Sequence, residues 1–334
     1  MSDIRIVALE EHLRFPSFVA ELDPGAIARR GWGGGIAFRR DELAEVDGAR
    51  LTSMDEAGIT VQVLSVVEPG ADLMSPEAGP PFARRYNDAV AAVVRGHPDR
   101  FSAFAHLPLT APEAAADELE RTVRELGFPG ALISGSTDGK FLDDGVFEPV
   151  LARAEQLDVP LYIHPGVPPE AVRRAYYDGF APGASFVFAT AGWGWHAETA
   201  VHILRLVLAG TLDRHPRLKL IIGHAGEGLP TMLARCDETL GSFAKSLRRS
   251  ISQTILDHVS ITTSGFFTLA PFLAALLTFG ADRILFSVDY PFSDNNAARS
   301  FLDALPVTQN DKEKIAYGNA DRLLKLSPVV RRPA

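Results

Sequence analysis

Residues 218–230 read LKLIIGHAGEGLP: an apolar run ends at Gly223, His224 and Glu227 follow, and a helix-like segment begins. The same order, a short apolar run and then a residue that can bind a metal or move a proton, recurs in the chain. The other runs, residues 4–9, 159–163 and 284–288, lead to Glu10-Glu11-His12, to His164 and to Asp289. Parallel strands bring their carboxyl ends to a common face. We therefore expect these side chains to form one site.

Strand-like runs of this kind occur eight times, and most are nearly continuous in Val, Ile, Leu, Phe and Ala. Such runs are typical of parallel strands that are buried on both faces. Helix-like segments separate them, and the repeated alternation predicts an α/β fold, a (β/α)8 barrel. A doubly wound open sheet is the alternative. It usually needs fewer strands, and it would not draw site residues from the first, fifth, sixth and eighth. The runs are at about residues 4–9, 61–67, 101–105, 130–134, 159–163, 218–223, 258–263 and 284–288.

Two connections are longer than the rest, residues 13–50 and residues 165–195. Long ordered loops within compact domains are usually lids or binding loops. In a barrel both would hang over the carboxyl-terminal face, so we expect them to cover the substrate. No linker divides the chain, and residues 1–334 are expected to form a single domain.

Composition excludes several classes of protein. Of 334 residues, 33 are Lys or Arg and 42 are Asp or Glu, which gives a net charge of −9 without a basic stripe. This balance argues against nucleic acid as the main partner. The single cysteine, Cys236, fits a reducing compartment. No apolar run approaches the roughly 20 residues that span a bilayer, and we expect a cytoplasmic enzyme with no membrane partner.

Glu10 and His12 are two positions apart, and residues so spaced on a strand point to the same side. A carboxylate and an imidazole would then face the barrel mouth together. Glu11 would point the other way, toward the helix layer or solvent.

His164 ends the fifth run, and Asp289 ends the eighth. Asp294 is the better candidate for the cap of the following helix, which leaves Asp289 for chemistry. Glu10, His12, His164 and Asp289 together would offer the mixed nitrogen and oxygen ligands that suit one divalent ion, Zn²⁺ or Mn²⁺.

The remaining candidates surround this predicted metal site. His224 is either a further ligand or a proton carrier, and Glu227 is expected to orient it or an attacking water. Arg235 either pairs with Glu227 or is a surface arginine. Trp193 and Trp195 either wall an aromatic pocket or pack the lid down, and His196 between the lid and the next helix has no evident partner.

The motifs resemble those of the amidohydrolase-related decarboxylases, of the γ-resorcylate and 2,3-dihydroxybenzoate decarboxylase type. The resemblance covers nearly the whole chain and rests on Ala8-Leu9-Glu10-Glu11-His12, Ile163-His164-Pro165, residues 223–230, residues 285–292 and Gly318-Asn319-Ala320. Residues 13–50 and 165–195 do not clearly match this family. The substrate is therefore less defined than the metal chemistry.

The resemblance implies a metal held by the residues matching Glu10, His12, His164 and Asp289, with His224, Glu227 and Arg235 matching other active-site positions. The substrate would be an aromatic acid whose carboxylate and ortho-hydroxyl chelate the metal, and Asp289 would protonate the ring carbon before carbon dioxide leaves. Trp193 and His196 are added as substrate-binding candidates. We expect a homodimer or homotetramer.

Two other classes of function remain. A hydrolase of a lactone, amide or ester would use metal-bound water on the same scaffold, with Asp289 as base. A non-catalytic barrel is disfavoured because every ligand type is present.

Overall fold

The computed structural model describes residues 4–32, 41–244 and 246–326, so the long connection at 13–50 lies partly outside the described residues. Nine short strands are found in this part of the chain. Consecutive strands pair in parallel, except that β3 does not pair with β4. They are β1 Val7–Leu13, β2 Val61–Val66, β3 Phe101–Ala103, β4 Ala105–His106, β5 Ala131–Ser134, β6 Leu161–His164, β7 Leu220–Ile222, β8 Val259–Thr262 and β9 Ile284–Leu285.

The strands follow chain order in two hydrogen-bonded groups, β1 to β3 and β4 to β9. Phe104 lies between the groups: its amide donates to Leu64 O at 2.8 Å, and the next amide, of Ala105, donates to Gly130 O at 2.9 Å. β3 and β4 therefore act as one strand that passes from β2 to β5. This gives eight strand positions, as the sequence predicts.

Hydrogen bonds between β1 and the segment after β9 join the two ends of the strand series. His12 N donates to Tyr290 O at 2.7 Å, and Asp289 N donates to Glu10 O at 3.0 Å. Glu11 and Tyr290 form an isolated parallel bridge. The arrangement is that of a (β/α)8 barrel of the TIM type, in which carboxyl-terminal strand ends gather at one mouth.

Two apolar layers hold this fold together. Side chains such as Val7, Leu9, Val63 and Ile221 fill the barrel interior. Their strand neighbours, among them Ala8, pack outward in the much larger layer between strands and helices. Burial on both faces is the reason the strand segments are continuously apolar.

The helices occupy the connections. They are α1 Pro16–Val19, α2 Pro24–Arg30, α3 Ala49–Ala57, α4 Gly79–Gly96, α5 Pro112–Leu126, α6 Glu148–Leu157, α7 Glu170–Val172, α8 Pro182–Ala189, α9 Gly194–Leu208, α10 Thr211–Arg214, α11 Leu229–Leu240, α12 Ile251–His258, α13 Leu269–Phe279, α14 Asn295–Ala304, α15 Gln309–Glu313 and α16 Asn319–Leu324. Within the described ranges, none is long and apolar enough to cross a membrane.

The connection at 165–195 is more regular than its sequence indicates, since it contains α7, a π-helical turn at Arg173–Tyr177 and α8. The start of α14 agrees with the sequence: Asp294 is its N-cap and accepts a hydrogen bond from Ala297 N at 2.8 Å.

Candidate active site

A bulge in β1 sets the direction of the first site residues. Ala8 pairs with Gln62 and Glu11 pairs with Leu64, so β1 advances three residues while β2 advances two. A bulge re-aims the side chains that follow it. Glu10 and His12 consequently lie together at the barrel mouth, as the sequence predicts, whereas Glu11 lies on the outer side of the strand.

Glu10 is completely buried, and its two carboxylate oxygens have different surroundings. Oε2 accepts short hydrogen bonds from the hydroxyls of Tyr162 and Ser264. Oε1 accepts none. It lies 3.2 Å from His164 Nε2, 3.8 Å from His224 Nε2 and 3.9 Å from His12 Nε2. One oxygen thus fixes the carboxylate, and the other faces three imidazoles.

Asp289 completes this ring of donor atoms. Its Oδ1 lies 3.2 Å from His12 Nε2, and its side chain is 18% exposed, unlike that of Glu10. It follows β9 in a left-handed backbone conformation with φ of 73°, which residues other than glycine rarely adopt. Asp289 is therefore the member of the ring that faces the open mouth.

The Nδ1 atom of each imidazole is held by a neighbour. His164 Nδ1 donates to Pro165 O at 2.7 Å, His224 Nδ1 donates to Glu227 Oε1 at 2.7 Å, and His12 Nδ1 lies 3.1 Å from Ser65 Oγ. A partner on one ring nitrogen fixes the tautomer and orientation of the other. All three Nε2 atoms are thereby directed to the same place.

This geometry suits a divalent metal. One donor atom from each of Glu10, His12 and His164 lies within 4.8 Å of the others. Glu10 Oε1 and His12 Nε2 are buried and make no hydrogen bond, which is costly for polar atoms unless an ion binds them. Imidazole and carboxylate ligands fit Zn²⁺ or Mn²⁺.

Opposite charges stabilise one another within the site. Burial raises the pKa of Glu10, but His224, His164 and His12 together lower it by more. The net shift of the Glu10 pKa is therefore downward. Burial lowers the pKa of His224, but Glu227, Glu10 and Asp289 raise it to about 10. The pKa of Glu227 is lowered, because the effect of its two imidazole neighbours exceeds that of burial.

His196 gains a partner that the sequence does not reveal. Its Nδ1 lies 2.5 Å from Glu227 Oε2, and its Nε2 donates to Ala191 O at 3.1 Å. Glu227 therefore bridges His196 and His224. These three residues also satisfy the distances of a metal-binding group, but most of their donor atoms already bind one another.

Aromatic side chains border the site, and of the two tryptophans considered from the sequence Trp195 is among them and Trp193 is not. Trp193 is 60% exposed and is not positioned as a pocket wall. Trp195 takes that place, because its ring lies 6.3 Å from the His164 ring. Phe292 contacts the His12 ring at 5.7 Å, and Phe266 contacts the His224 ring at 5.8 Å.

Of the two alternatives for Arg235, the structure agrees with the surface arginine and not with a pairing to Glu227. Arg235 is on the exposed face of α11, where its Nη1 binds Glu238 Oε2 at 2.9 Å. Glu227 precedes α11 and has a positive φ of 55°, so its side chain does not continue the helical spacing. Within one chain, Arg235 therefore lies outside the group formed around Glu10.

Sequence reasoning did not select Tyr162, Ser264 or Ser65, which orient the candidate ligands. Tyr162 could have been found, because it is two positions before His164 on one strand and shares its side. Ser264 and Ser65 carry no such signal in the sequence.

Comparison with known proteins agrees with this site. The amidohydrolase family model matches residues 14–326, so the chain belongs to that family. The γ-resorcylate decarboxylase of Rhizobium sp. strain MTP-10005 is 37% identical over 96% of this chain and 98% of its own length. Decarboxylase orsB of Emericella nidulans is 38% identical over 87% of this chain and 89% of its own.

A solved structure extends the likeness to the fold. A dihydroxybenzoic acid decarboxylase from Polaromonas sp. JS666, with bound manganese and the inhibitor 2-nitroresorcinol, superimposes with a TM-score of 0.83. It is 34% identical and covers 96% of this chain and 97% of its own. The resemblance to decarboxylases and the barrel fold expected from the sequence are both confirmed.

Proposed function

We propose that the protein is a metal-dependent, non-oxidative decarboxylase, a carboxy-lyase, of a hydroxylated aromatic carboxylic acid. The observation that carries the proposal is the convergence of Glu10 Oε1, the three imidazole Nε2 atoms and Asp289 Oδ1 at the barrel mouth. The decarboxylase relatives support it, and they favour it over the hydrolase alternative.

Glu10, His12, His164 and Asp289 would hold the divalent ion. When bound, that ion supplies Lewis-acid chemistry and a template for an anionic, chelating substrate. The manganese of the related Polaromonas enzyme supports Mn²⁺ as the first ion to test, with Zn²⁺ as the second.

Asp289 would act as the general acid. Its proton forms a bond to the ring carbon that bears the carboxylate, and that carbon becomes tetrahedral. The bond between this carbon and the carboxylate then breaks, and carbon dioxide leaves. The electron pair of the broken bond stays with the ring and restores its aromaticity. Asp289 suits this role because its carboxylate is partly exposed at the mouth while Glu10 is buried.

A second group would orient polar atoms beside the reacting ring. It consists of His224, Glu227 and His196. Glu227 holds both imidazoles by short hydrogen bonds, so His224 presents Nε2 to the site in one orientation. Trp195, Phe266 and Phe292 would exclude water from an aromatic substrate.

The proposal is tested by incubating metal-loaded protein with a panel of hydroxybenzoates that includes 2,6-dihydroxybenzoate. Carbon dioxide should form, and in D₂O the product should carry deuterium at the carbon that lost the carboxylate. Turnover of a lactone or ester panel without gas release would overturn the proposal in favour of hydrolysis.

We also propose a homodimer or homotetramer. Exposed apolar side chains on α13 support this, since Leu269 is 47%, Leu273 39% and Leu277 87% exposed, with Met232 at 50% on α11. Contiguous apolar surface commonly marks a subunit contact. The mass in solution, measured by light scattering, tests the assembly.

A further inference from the structure

Glu11 lies between the two candidate ligands of β1, and no role described above uses it. The sequence places it toward the helix layer or solvent. It does lie on the outer side, but it is 0% exposed. A carboxylate in such a position needs hydrogen-bond donors, and the identity of those donors is informative.

The carboxylate of Glu11 binds both sides of Asp289. Val288 N donates to its Oε1 at 2.9 Å, and Tyr290 N donates to its Oε2 at 3.3 Å. Ser287 Oγ and Gln62 Nε2 donate to the same two oxygens, at 3.1 and 3.3 Å. All four of these groups donate to the Glu11 carboxylate.

Three consecutive amides are held in this way. Those of Val288 and Tyr290 bind the Glu11 side chain, and that of Asp289 binds Glu10 O at 3.0 Å. The residue at the centre, Asp289, has the strained φ of 73°. Unfavourable backbone conformations persist where surrounding contacts fix them, and here the contacts come from Glu10 and Glu11.

Arg50 binds two neighbours of Glu11, Gln62 and His12. It is fully buried, and its guanidinium donates to His12 O at 2.5 Å and to Gln62 Oε1 at 3.2 Å. It also lies 4.7 Å from the centre of the Tyr290 ring. Burial raises the pKa of Glu11 to about 8, and the hydrogen bonds from Val288 and Tyr290 and the charge of Arg50 act in the opposite direction.

We propose that Glu11 is the positioning residue of Asp289. By binding the peptide groups on either side, it holds Asp289 in the backbone conformation that directs the carboxyl group at His12 Nε2 and the mouth. The expected effect on catalysis rests on the proposed function. The hydrogen bonds that position Asp289 do not depend on that function.

The test compares Glu11→Gln with Glu118→Gln. The carboxamide at position 11 keeps the size of glutamate but turns an NH₂ group toward a donor. Glu118 is also buried, and it accepts from Asn87 Nδ2 at 2.8 Å and Arg121 Nη2 at 2.7 Å. It therefore controls for the loss of any buried carboxylate.

For Glu11→Gln we expect kcat to fall by about 10- to 100-fold, the loss typical of a misplaced reacting group. The affinity for 2-nitroresorcinol should stay within about twofold, because binding does not need the proton. Amide hydrogen exchange in residues 286–292 should accelerate. Glu118→Gln should change none of these. A wild-type kcat, or a loss of analogue affinity in proportion to kcat, would overturn the inference.

If Glu11→Gln does not fold, Glu11→Asp takes its place. It keeps the carboxyl group but is one methylene too short to reach both amides, so the same pattern is expected. Wild-type kinetics would count against the positioning role. If the wild-type protein decarboxylates nothing, the proposed function fails separately. Crystal structures of the two proteins then decide: an unchanged backbone at Asp289 in the variant would overturn positioning.

Discussion

His196 and Glu227 are joined by a contact of 2.5 Å between Nδ1 and Oε2, although they belong to different connections of the barrel. His196 is in the first turn of α9, directly after the long connection at 165–195, and Glu227 follows β7. The contact therefore joins the end of the connection at 165–195 to a residue that orients His224.

Substitution of His196 tests the role of its contact with Glu227. We expect His196→Phe, which keeps a planar ring but no donor, to lower kcat by about 10- to 100-fold, as is common for groups that orient a site residue. His196→Asn places an NH₂ group near the position of Nδ1 and should lose less. Steady-state kinetics of the two variants provide the measurement, and equal losses would contradict the role of the hydrogen bond.

Substitution of Asp289 tests the general acid. Asp289→Asn should lower kcat by about 10²- to 10⁴-fold, the usual contribution of a positioned acid or base. Binding of 2-nitroresorcinol should persist, because the amide keeps one oxygen near His12. Kinetics and analogue titration on the same preparation check both statements. A kcat close to that of the wild type would exclude Asp289 as the proton donor.

Removal of His164 tests the metal site. His164→Ala deletes an imidazole whose Nε2 lies 3.2 Å from Glu10 Oε1, so we expect its metal content after dialysis to fall well below one ion per chain. His97→Ala is the matched control, because His97 pairs with Asp47 on the surface. Elemental analysis provides the measurement. Equal metal in both variants would count against His164 as a ligand.

The two neighbouring tryptophans provide a test of the aromatic wall. Trp195→Ala should raise KM by about 10-fold or more, since an aromatic contact and its buried area contribute on the order of 1–2 kcal/mol. Trp193→Ala changes a side chain that is 60% exposed and should leave KM unchanged. If the two variants reversed this order, the assignment of Trp195 to the wall would be wrong.

The ion pair of His224 and Glu227 predicts a dependence of stability on pH in the metal-free protein. The pKa of His224 rises from 6.5 to about 10 in the folded state. Its stabilisation is therefore fully present below pH 6.5 and is lost as the pH rises toward 10. Glu227, whose pKa is lowered from 4.5, contributes above pH 4.5 and loses its contribution in acid.

Urea unfolding of the metal-free wild type and of His224→Gln gives the measurement. The difference in free energy of unfolding between them should be larger near pH 6.5 than near pH 10. A difference that stays constant over this range would show that His224 is neutral in the folded state.

The strand positions were predictable because burial on both faces leaves a continuous apolar signal. The common side of Glu10 and His12 followed from their spacing, and Asp294 was recognisable as a cap from its place before α14. These features depend on residues that are close in sequence.

The environment of Glu11 depended on structure that the sequence does not display. Its orientation follows from the bulge in β1, and its partners Val288 and Tyr290 are 277 and 279 positions away. The contact between His196 and Glu227 likewise joins separate connections. For Arg235 the sequence left two alternatives open, and the structure agrees with the surface arginine, because the backbone at Glu227 is not yet helical.

The pairing of β1 with the segment after β9 also has a consequence for how the protein is made. The ribosome delivers Glu10 and His12 first and His164 next, whereas Asp289 and the amides that bind Glu11 emerge only after them. A nascent chain therefore cannot present the complete donor set to an ion. We expect metal loading to follow the closure of the barrel, when Asp289 reaches the residues of β1.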